Sequence, residues 1–160
     1  MEPLCIRELR EGDWPAVLDL ANQSVAHIAG AGPQDEWLRN RRSFDPSRGI
    51  QYQVIAEASG NPVGYGALES QSPAQPQSFR LFVVTPPRLL ATVGEHLYGK
   101  LHSRLGELSA AEAWFREYAS DASFIEFARR RGFSERKRFV LQGTELIILA
   151  NARVDGAAAA

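Results

Sequence analysis

Residues 79–94 read FRLFVVTPPRLLATVG, and the architecture of the chain follows from this stretch. Its first six residues are almost continuously apolar, as is typical of a strand covered on both faces of its sheet. Pro86 and Pro87 end the strand because a proline has no N–H to donate to a neighbouring strand. Beyond them an apolar residue recurs nearly every fourth position, which predicts a long helix over residues 89–108. Its apolar stripe consists of Leu89, Val93, Leu97, Leu101, Leu105 and Leu108.

The chain after this helix predicts another strand and another helix. Residues 113–118, with the sequence AWFREY, indicate a strand that runs parallel to the first one, since a helix connects the two. A helix is expected from about Asp121 to Arg131, with Ser120 or Asp121 as its cap. Gly132 stands where a left-handed terminator is favoured. Two last strands are expected over residues 136–142 and 144–150.

The chain before residue 79 alternates in the same way. Strands are expected over residues 4–10, 51–59 and 63–69. One helix is expected to open at Asp13-Trp14-Pro15 and to end before the break at residues 30–33, and another is expected over residues 34–44. The full order, β-α-α-β-β-β-α-β-α-β-β, predicts an α/β fold: a mixed central sheet with helices on both faces. We expect one domain over residues 1–150, a loop over residues 70–78, and a tail or linker remnant over residues 151–160.

Composition and charge exclude several classes of protein. The chain has 160 residues, a single cysteine (Cys5) and a formal net charge of −1. It therefore has no internal disulfide, and it is not built around overall attraction to nucleic acid or anionic lipid. No apolar run reaches the ~18 residues needed to cross a bilayer, and a signal peptide is not recognisable. These features favour a cytoplasmic protein without a membrane partner. The histidines lack metal-ligand spacing, so no metal site is expected, and the excess of arginine over lysine indicates genome composition rather than a site.

Two motifs in residues 79–133 have the spacing of a known family. Val84-Thr85-Pro86 is followed by a turn over residues 88–94, and a later helix ends in Phe127-Ala128-Arg129-Arg130-Arg131-Gly132-Phe133. In order and spacing, the chain resembles the GNAT superfamily, the Gcn5-related N-acetyltransferases. The resemblance covers nearly the whole chain. It implies transfer of an acetyl group from acetyl-CoA to a primary amine, by direct attack in a ternary complex.

The resemblance also implies a set of cofactor-binding residues. The helix start after the prolines offers unpaired N–H groups to a pyrophosphate, and the end of the preceding strand would bind the pantetheine arm as an added strand does. That strand must then part from its neighbour. The implied residues are Phe82, Val83, Val84, Arg88, Leu89, Leu90, Ala91, Thr92, Val93, Gly94 and Asp121. A Gly94→Glu substitution is expected to abolish coenzyme binding and to leave the fold intact.

The chain departs from the family pattern at five positions. Leu89 stands in place of an arginine or glutamine, and Leu90 and Thr92 stand in place of glycines. Asp121 replaces a common asparagine, and Ala128 replaces the tyrosine that in the family protonates the departing thiolate. Because Leu89 also fits the apolar stripe, a role in the core is an open alternative for it.

Three residues at strand ends are candidates for acid–base chemistry. Tyr118 is the candidate general acid in place of the missing tyrosine. Glu69 and Glu117 are the candidate general bases, since an amine nucleophile needs a carboxylate within direct or one-water reach. For each of the three, an ordinary position at the surface is the alternative.

Other functions are open on sequence grounds. The glycine-poor turn and Ala128 are compatible with a GNAT-like module without turnover, either the structural half of a tandem protein or a sensor of acyl-CoA. A basic cluster over residues 129–138 is compatible with RNA or DNA binding, although we prefer to explain it by a helix dipole and an exposed strand edge. The sequence leaves open whether the amine acceptor is a small molecule or a peptide, and whether the chain forms a homodimer.

Overall fold

The computed structural model describes residues 3–70 and 77–151 of the chain. Its strands are β1 Leu4–Glu8, β2 Gln51–Ala58, β3 Asn61–Ser70, β4 Ser78–Val84, β5 Glu112–Tyr118, β6 Ser134–Leu141 and β7 Thr144–Asn151. Its helices are α1 Trp14–Val25, α2 Asp35–Arg42, α3 Glu95–Glu107 and α4 Ala122–Arg129. None of the helices in these ranges has the length and apolar character needed to cross a bilayer. The predicted order and the α/β class are confirmed, while the tail beyond residue 151 and residues 71–76 of the expected loop lie outside the described residues.

One mixed sheet contains the seven strands, in the order β1-β2-β3-β4-β5-β7-β6. β4 and β5 are parallel, and every other neighbouring pair is antiparallel. A parallel pair needs a crossover connection, and α3, the helix predicted from the leucine stripe, provides it.

β4 and β5 pair only over their first residues. The ladder joins Ser78–Arg80 to Glu112–Trp114, and within the described residues no further pairing links these two strands. β4 stays paired with β3 as far as Val84, and β5 stays paired with β7 as far as Tyr118. A gap therefore opens inside the sheet while both sides of the sheet remain intact. This is the parting that binding of a pantetheine arm requires.

The two faces of the sheet bury different side chains, because successive residues of a strand point to opposite faces. On one face, which we call the α3–α4 face, α3 and α4 cover a large apolar cluster. It includes Leu68, Leu81, Leu97, Leu101, Leu105, Phe115 and Phe127. On the other, the α1–α2 face, α1 and α2 cover a smaller cluster. It includes Trp14, Val17, Ile55, Tyr65, Ala67 and Phe82. Helices on both faces are thus confirmed.

The start of the long helix differs from the sequence prediction. A 3₁₀ turn covers Pro87–Leu89, a π-helical turn covers Leu90–Gly94, and the α-helix begins only at Glu95. Pro87 suits the first position of a helical turn, where an N–H has no partner. The apolar stripe itself is confirmed. Val93, Leu97, Leu101 and Leu105 are buried, and Leu89 and Leu108 pack at the edge of the cluster.

Both ends of α4 follow the sequence prediction. At the start, the Asp121 carboxylate accepts a hydrogen bond from the Phe124 N–H at 3.3 Å. At the end, Gly132 adopts a φ of +88°, and the Phe133 N–H donates to the Ala128 carbonyl at 3.1 Å. The cap fixes Asp121 three residues beyond β5, beside the gap in the sheet.

Candidate functional site

A cleft of about 460 Å³ lies where β4 and β5 part, on the α1–α2 face. Its walls come from α1, α2 and the loop between them, from the second halves of β4 and β5, and from the starts of α4 and β7. Phe82, Val83 and Val84, which were predicted to bind the pantetheine arm, lie in the wall. The structure therefore brings this strand end into one cleft with the last two residues of β5, Glu117 and Tyr118.

Glu117 and Tyr118 are both half-buried in the cleft wall. Burial raises the pKa of the Glu117 carboxyl to about 8; the nearby Asp121 adds to the shift and Arg80 opposes it. A carboxyl that titrates near neutral pH can accept and return a proton under physiological conditions. Glu117 is thus not an exposed surface charge, and Tyr118 lines the same cleft.

Glu69 lies in an environment that the sequence did not suggest. It is 1% exposed, and its carboxylate is 3.1 Å from the Arg41 guanidinium. It also accepts a hydrogen bond from Gln51 Nε2 at 3.4 Å. Burial raises the pKa of this carboxyl, against the opposing effect of Arg41. The surface-charge alternative is wrong for Glu69. Because it lies outside the cleft wall formed by the described residues, we assign it as the partner of Arg41 rather than as a base.

Three arginines in the cleft wall were missed by the sequence analysis: Arg41 of α2, Arg80 of β4 and Arg116 of β5. Burial lowers the pKa of Arg80 to about 10, and the nearby Arg41 and Arg116 contribute by repulsion. The Arg80 guanidinium nevertheless stays protonated at neutral pH. Genome composition is therefore an insufficient explanation for these residues. The signal that could have found Arg80 is its position inside an otherwise apolar strand.

The turn over residues 88–94, which was predicted to bind the pyrophosphate, has some residues that pack on the core and others that are exposed. Leu89 and Val93 pack on the apolar cluster of the α3–α4 face, so the core role of Leu89 is confirmed. Leu90 packs there as well and also reaches the cleft wall. Thr92 is half-buried, and its hydroxyl donates to the Leu89 carbonyl at 3.2 Å, inside the turn. The exposed residues of the turn are Arg88 and Ala91.

Gly94 is buried, and its small size serves packing between the turn and α4. A Cβ added at this position would stand 2.9 Å from Leu90 Cδ1 and 3.3 Å from Phe127 Cε2. A side chain there requires small shifts of the Leu90 methyl and of the Phe127 ring. The expectation that Gly94→Glu leaves the fold intact stays a prediction, and these contacts indicate some loss of stability.

Comparison with solved structures identifies the architecture. No family model matches the sequence, and no curated protein matches it either. The structure of yncA from Salmonella typhimurium with its cofactor acetyl-CoA superposes with a TM-score of 0.72 at 16% identity, over 96% of this chain and 95% of that one. The ribosomal-protein-alanine N-acetyltransferase from Brucella melitensis gives 0.72 at 22% identity, over 92% and 99% of the two chains. PaiA N-acetyltransferase from Thermoplasma acidophilum in complex with coenzyme A gives 0.72 at 15% identity, over 94% and 99%.

This chain has the GNAT fold. The resemblance found in residues 79–133 is confirmed at the level of the fold. Within this GNAT fold, Ala128 is completely buried and offers no hydroxyl. Ala128 therefore cannot donate a proton.

Asp121 is engaged within the protein. Besides capping α4, its carboxylate lies 3.4 Å from Nε2 of His27, a residue of the cleft rim. Across residues 3–70 and 77–151, histidine, cysteine and acidic side chains nowhere form a group of three that could hold a metal ion. Asp121 and His27 are therefore paired with each other at the rim and do not belong to a larger ligand set within those ranges.

The basic cluster over residues 129–138 is balanced by carboxylates. The pairs are Arg130–Glu126, Arg131–Glu95, Arg136–Glu112, and Arg138 with both Glu135 and Glu145. Carboxylates on the same or on neighbouring elements thus offset most of the positive charge. This balance removes the observation that favoured RNA or DNA binding.

Proposed function

We propose that this chain is a GNAT-superfamily enzyme that transfers an acetyl group from acetyl-CoA to a primary amine. The observation that carries the proposal is the parting of β4 and β5 beside a cleft that contains Glu117, whose pKa is near neutrality. Neighbours with the same fold were solved with acetyl-CoA or coenzyme A, which supports acetyl-CoA as the co-substrate.

The residues around the gap suit the two ends of acetyl-CoA. Within the described residues, no ladder hydrogen bonds join β4 and β5 beyond Arg80 and Trp114. The backbone from Phe82 to Val84 can therefore bind the extended pantetheine arm as if it were an added strand. For the pyrophosphate we assign the outward residues of the turn, Arg88 and Ala91, with the backbone N–H groups beside them. Bound acetyl-CoA supplies an acetyl thioester whose carbonyl carbon is the electrophile.

Glu117 and Tyr118 divide the proton transfers. The unprotonated Glu117 carboxylate accepts the proton that the amine loses as the C–N bond forms. The Tyr118 hydroxyl donates a proton to the sulfur as the C–S bond breaks. Arg80, which opposes the raised pKa of Glu117, increases the fraction of the carboxylate available at neutral pH. Holding both reactants in one cleft contributes much of the acceleration.

A coenzyme-binding module without turnover is the second candidate. It is favoured by the buried Ala128, which carries no acid, and by the use of the Thr92 hydroxyl within its own turn. Both candidates bind acetyl-CoA, and they differ in whether the acetyl group is then transferred to an amine.

Calorimetry with acetyl-CoA, combined with an assay of thiol release over a panel of primary amines, tests the proposal. We expect binding and turnover of at least one amine. Binding without turnover supports the module, and absence of binding contradicts both candidates.

An Ala91→Glu variant puts a carboxylate on the assigned phosphate turn, so acetyl-CoA affinity is expected to fall at least tenfold. The matched control is Gly99→Glu on α3, where an added side chain meets no atom within 4 Å and affinity is expected to be unchanged.

A further inference from the structure

The cleft contains more positive charge than acetyl transfer to a simple amine requires. Arg41, Arg80 and Arg116 all line it. Glu69 offsets the charge of Arg41, and Glu117, with its pKa near 8, is largely protonated at neutral pH. The other carboxylates of the wall are Asp121, which caps α4 beside His27, and the exposed Glu36 at the rim. At least one guanidinium charge is thus left for a bound molecule.

Arg41 and Arg80 approach the same aromatic ring. Their guanidinium carbons lie 4.1 Å and 4.5 Å from the centroid of Phe82. Arg41 is only 7% exposed, and among the described residues neither its Nε nor the Nε of Arg80 has a hydrogen-bond partner. Even the contact between Arg41 Nη1 and Glu69 at 3.1 Å lacks the alignment of a hydrogen bond. Buried N–H donors without a hydrogen-bond acceptor are unfavourable. The N–H groups of Arg41 and Arg80 therefore suit a hydrogen-bond acceptor on a bound ligand.

We infer that the acceptor of this enzyme is a small amine that carries a carboxylate, and that Arg80 and Arg41 bind this carboxylate beside Phe82. The inference rests on the proposed function and names the substrate class of the same cleft. Guanidinium groups bind carboxylates through parallel charge-assisted hydrogen bonds, and the apolar Phe82 ring excludes water from that contact.

The position of Arg80 along β4 suits an amine that carries a carboxylate. Arg80 is the last residue of β4 that pairs with β5, and the residues proposed to hold the thioester arm come directly after it, at about 3.3 Å per residue. The Arg80 side chain leans toward that end, since its guanidinium stacks on Phe82. In an α-amino acid, the nitrogen is two bonds, or about 2.5 Å, from the carboxylate carbon. A carboxylate on the arginines therefore leaves the amine on the side of the open strand ends, where Glu117 and Tyr118 line the cleft.

The size of the cleft also favours a small acceptor. A volume of about 460 Å³ falls in the range of small-molecule sites. A polypeptide amino terminus has a neutral amide, not a carboxylate, two bonds from its amine. A peptide acceptor therefore leaves the Arg80 charge in the cleft without an anion.

The test compares matched acceptors. Each common L-amino acid and its carboxamide are assayed with acetyl-CoA, using the wild-type chain and the Arg80→Gln, Arg80→Lys and Arg39→Gln variants. Arg39 is on α2 like Arg41 but is exposed and outside the cleft wall, so its variant controls for the loss of one charge. The carboxamide has the less basic amine, so availability of the neutral nucleophile does not explain a preference for the acid.

We expect kcat/KM for the best acid to exceed that for its carboxamide at least tenfold. In Arg80→Gln this ratio is expected to fall to about one, through loss of turnover of the acid rather than of the amide. Arg80→Lys should keep part of the preference, and Arg39→Gln should keep all of it. Equal or better use of carboxamides by the wild type overturns the inference while the acetyltransferase proposal stands. So does an acid preference that survives in Arg80→Gln.

A binding measurement keeps the inference testable if turnover is absent. The best-binding amino acid and its carboxamide are titrated by calorimetry into the chain, with and without saturating coenzyme A. Binding of the acid alone, lost in Arg80→Gln, supports the carboxylate site even if acetyl-CoA does not bind. No difference between acid and amide overturns it. If Arg80→Gln does not fold, as circular dichroism would show, Arg116→Gln takes its place, with an intermediate loss of preference expected.

Discussion

The α3–α4 face and the α1–α2 face of the sheet differ in what they bury. Beneath α3 and α4 the contacts are made by leucine, valine and phenylalanine. Beneath α1 and α2 the smaller apolar cluster adjoins a buried ion pair, Arg41–Glu69, and a second arginine, Arg80. Burying charge costs free energy that apolar packing does not cost. The comparison teaches that the α3–α4 face stabilises the fold, while the α1–α2 face retains groups whose use lies in binding and chemistry.

The largest effect is expected from breaking the ion pair. Glu69→Gln leaves the Arg41 charge buried without its partner, which should lower the free energy of unfolding by about 3–5 kcal/mol. Urea denaturation measures the loss. The double variant Arg41→Met/Glu69→Leu removes both charges and should recover most of the stability. If the double variant is as unstable as the single one, the pair contributes packing rather than charge balance.

A slightly smaller loss is expected on the α3–α4 face. Leu97 is completely buried, so Leu97→Ala should cost about 2–5 kcal/mol through lost burial and the cavity left behind. The matched control is Leu141→Ala, where the leucine is 44% exposed and a change within about 0.5 kcal/mol is expected. Similar thermal unfolding of the two variants would contradict the division of roles between the faces.

At the cleft, substitution of Glu117 should affect catalysis more than stability. Glu117→Gln removes the proton acceptor and should lower kcat at least about 100-fold, with acetyl-CoA affinity retained. The matched control is Glu126→Gln on α4, where the carboxylate is exposed and pairs with Arg130. Steady-state kinetics with the best amine distinguish the two. Unchanged kcat in Glu117→Gln would exclude Glu117 as the base.

The smallest effect, taken per pH unit, is a dependence of stability on pH. Folding raises the pKa of Glu117 from 4.5 to about 8, so between these values the native state holds a proton that the unfolded chain has released. Raising the pH through this window should therefore lower the free energy of unfolding, by at most about 1.4 kcal/mol per pH unit. Glu117→Gln cannot titrate, so it should gain stability relative to the wild type as the pH rises. Urea titrations of both proteins without ligand measure this difference, and a difference constant with pH contradicts the raised pKa.

The fold was predictable because its signals are local. The leucine spacing of α3, the apolar run of β4 and Gly132 at the end of α4 each depend on neighbours in sequence. The start of the long helix was not predictable in detail, since the sequence gives no sign of a π-helical turn over Leu90–Gly94.

The candidate site was predictable only in part, because its contacts are long-range. Glu117 and Tyr118 could be placed from the position of β5. The pairing of Glu69 with Arg41 joins residues far apart in sequence and requires α2 to lie over β3. Arg80 lies beside this ion pair because it is the cross-strand neighbour of Glu69. The spacing of residues in the sequence does not predict such a long-range contact. The grouping of Arg41, Glu69 and Arg80 could therefore be recognised only in the three-dimensional structure.

The gap between β4 and β5 also supplies a reporter that needs no substrate. Amide hydrogens held in a continuous ladder exchange with deuterium slowly, whereas those on an open edge exchange quickly. The backbone amide protons of β4 that follow Arg80 and face the gap should therefore exchange quickly with deuterium, although the strand lies in the middle of a sheet. A bound arm that completes the ladder would slow this labelling, so mass spectrometry of the peptide containing Leu81–Val84 measures occupancy directly.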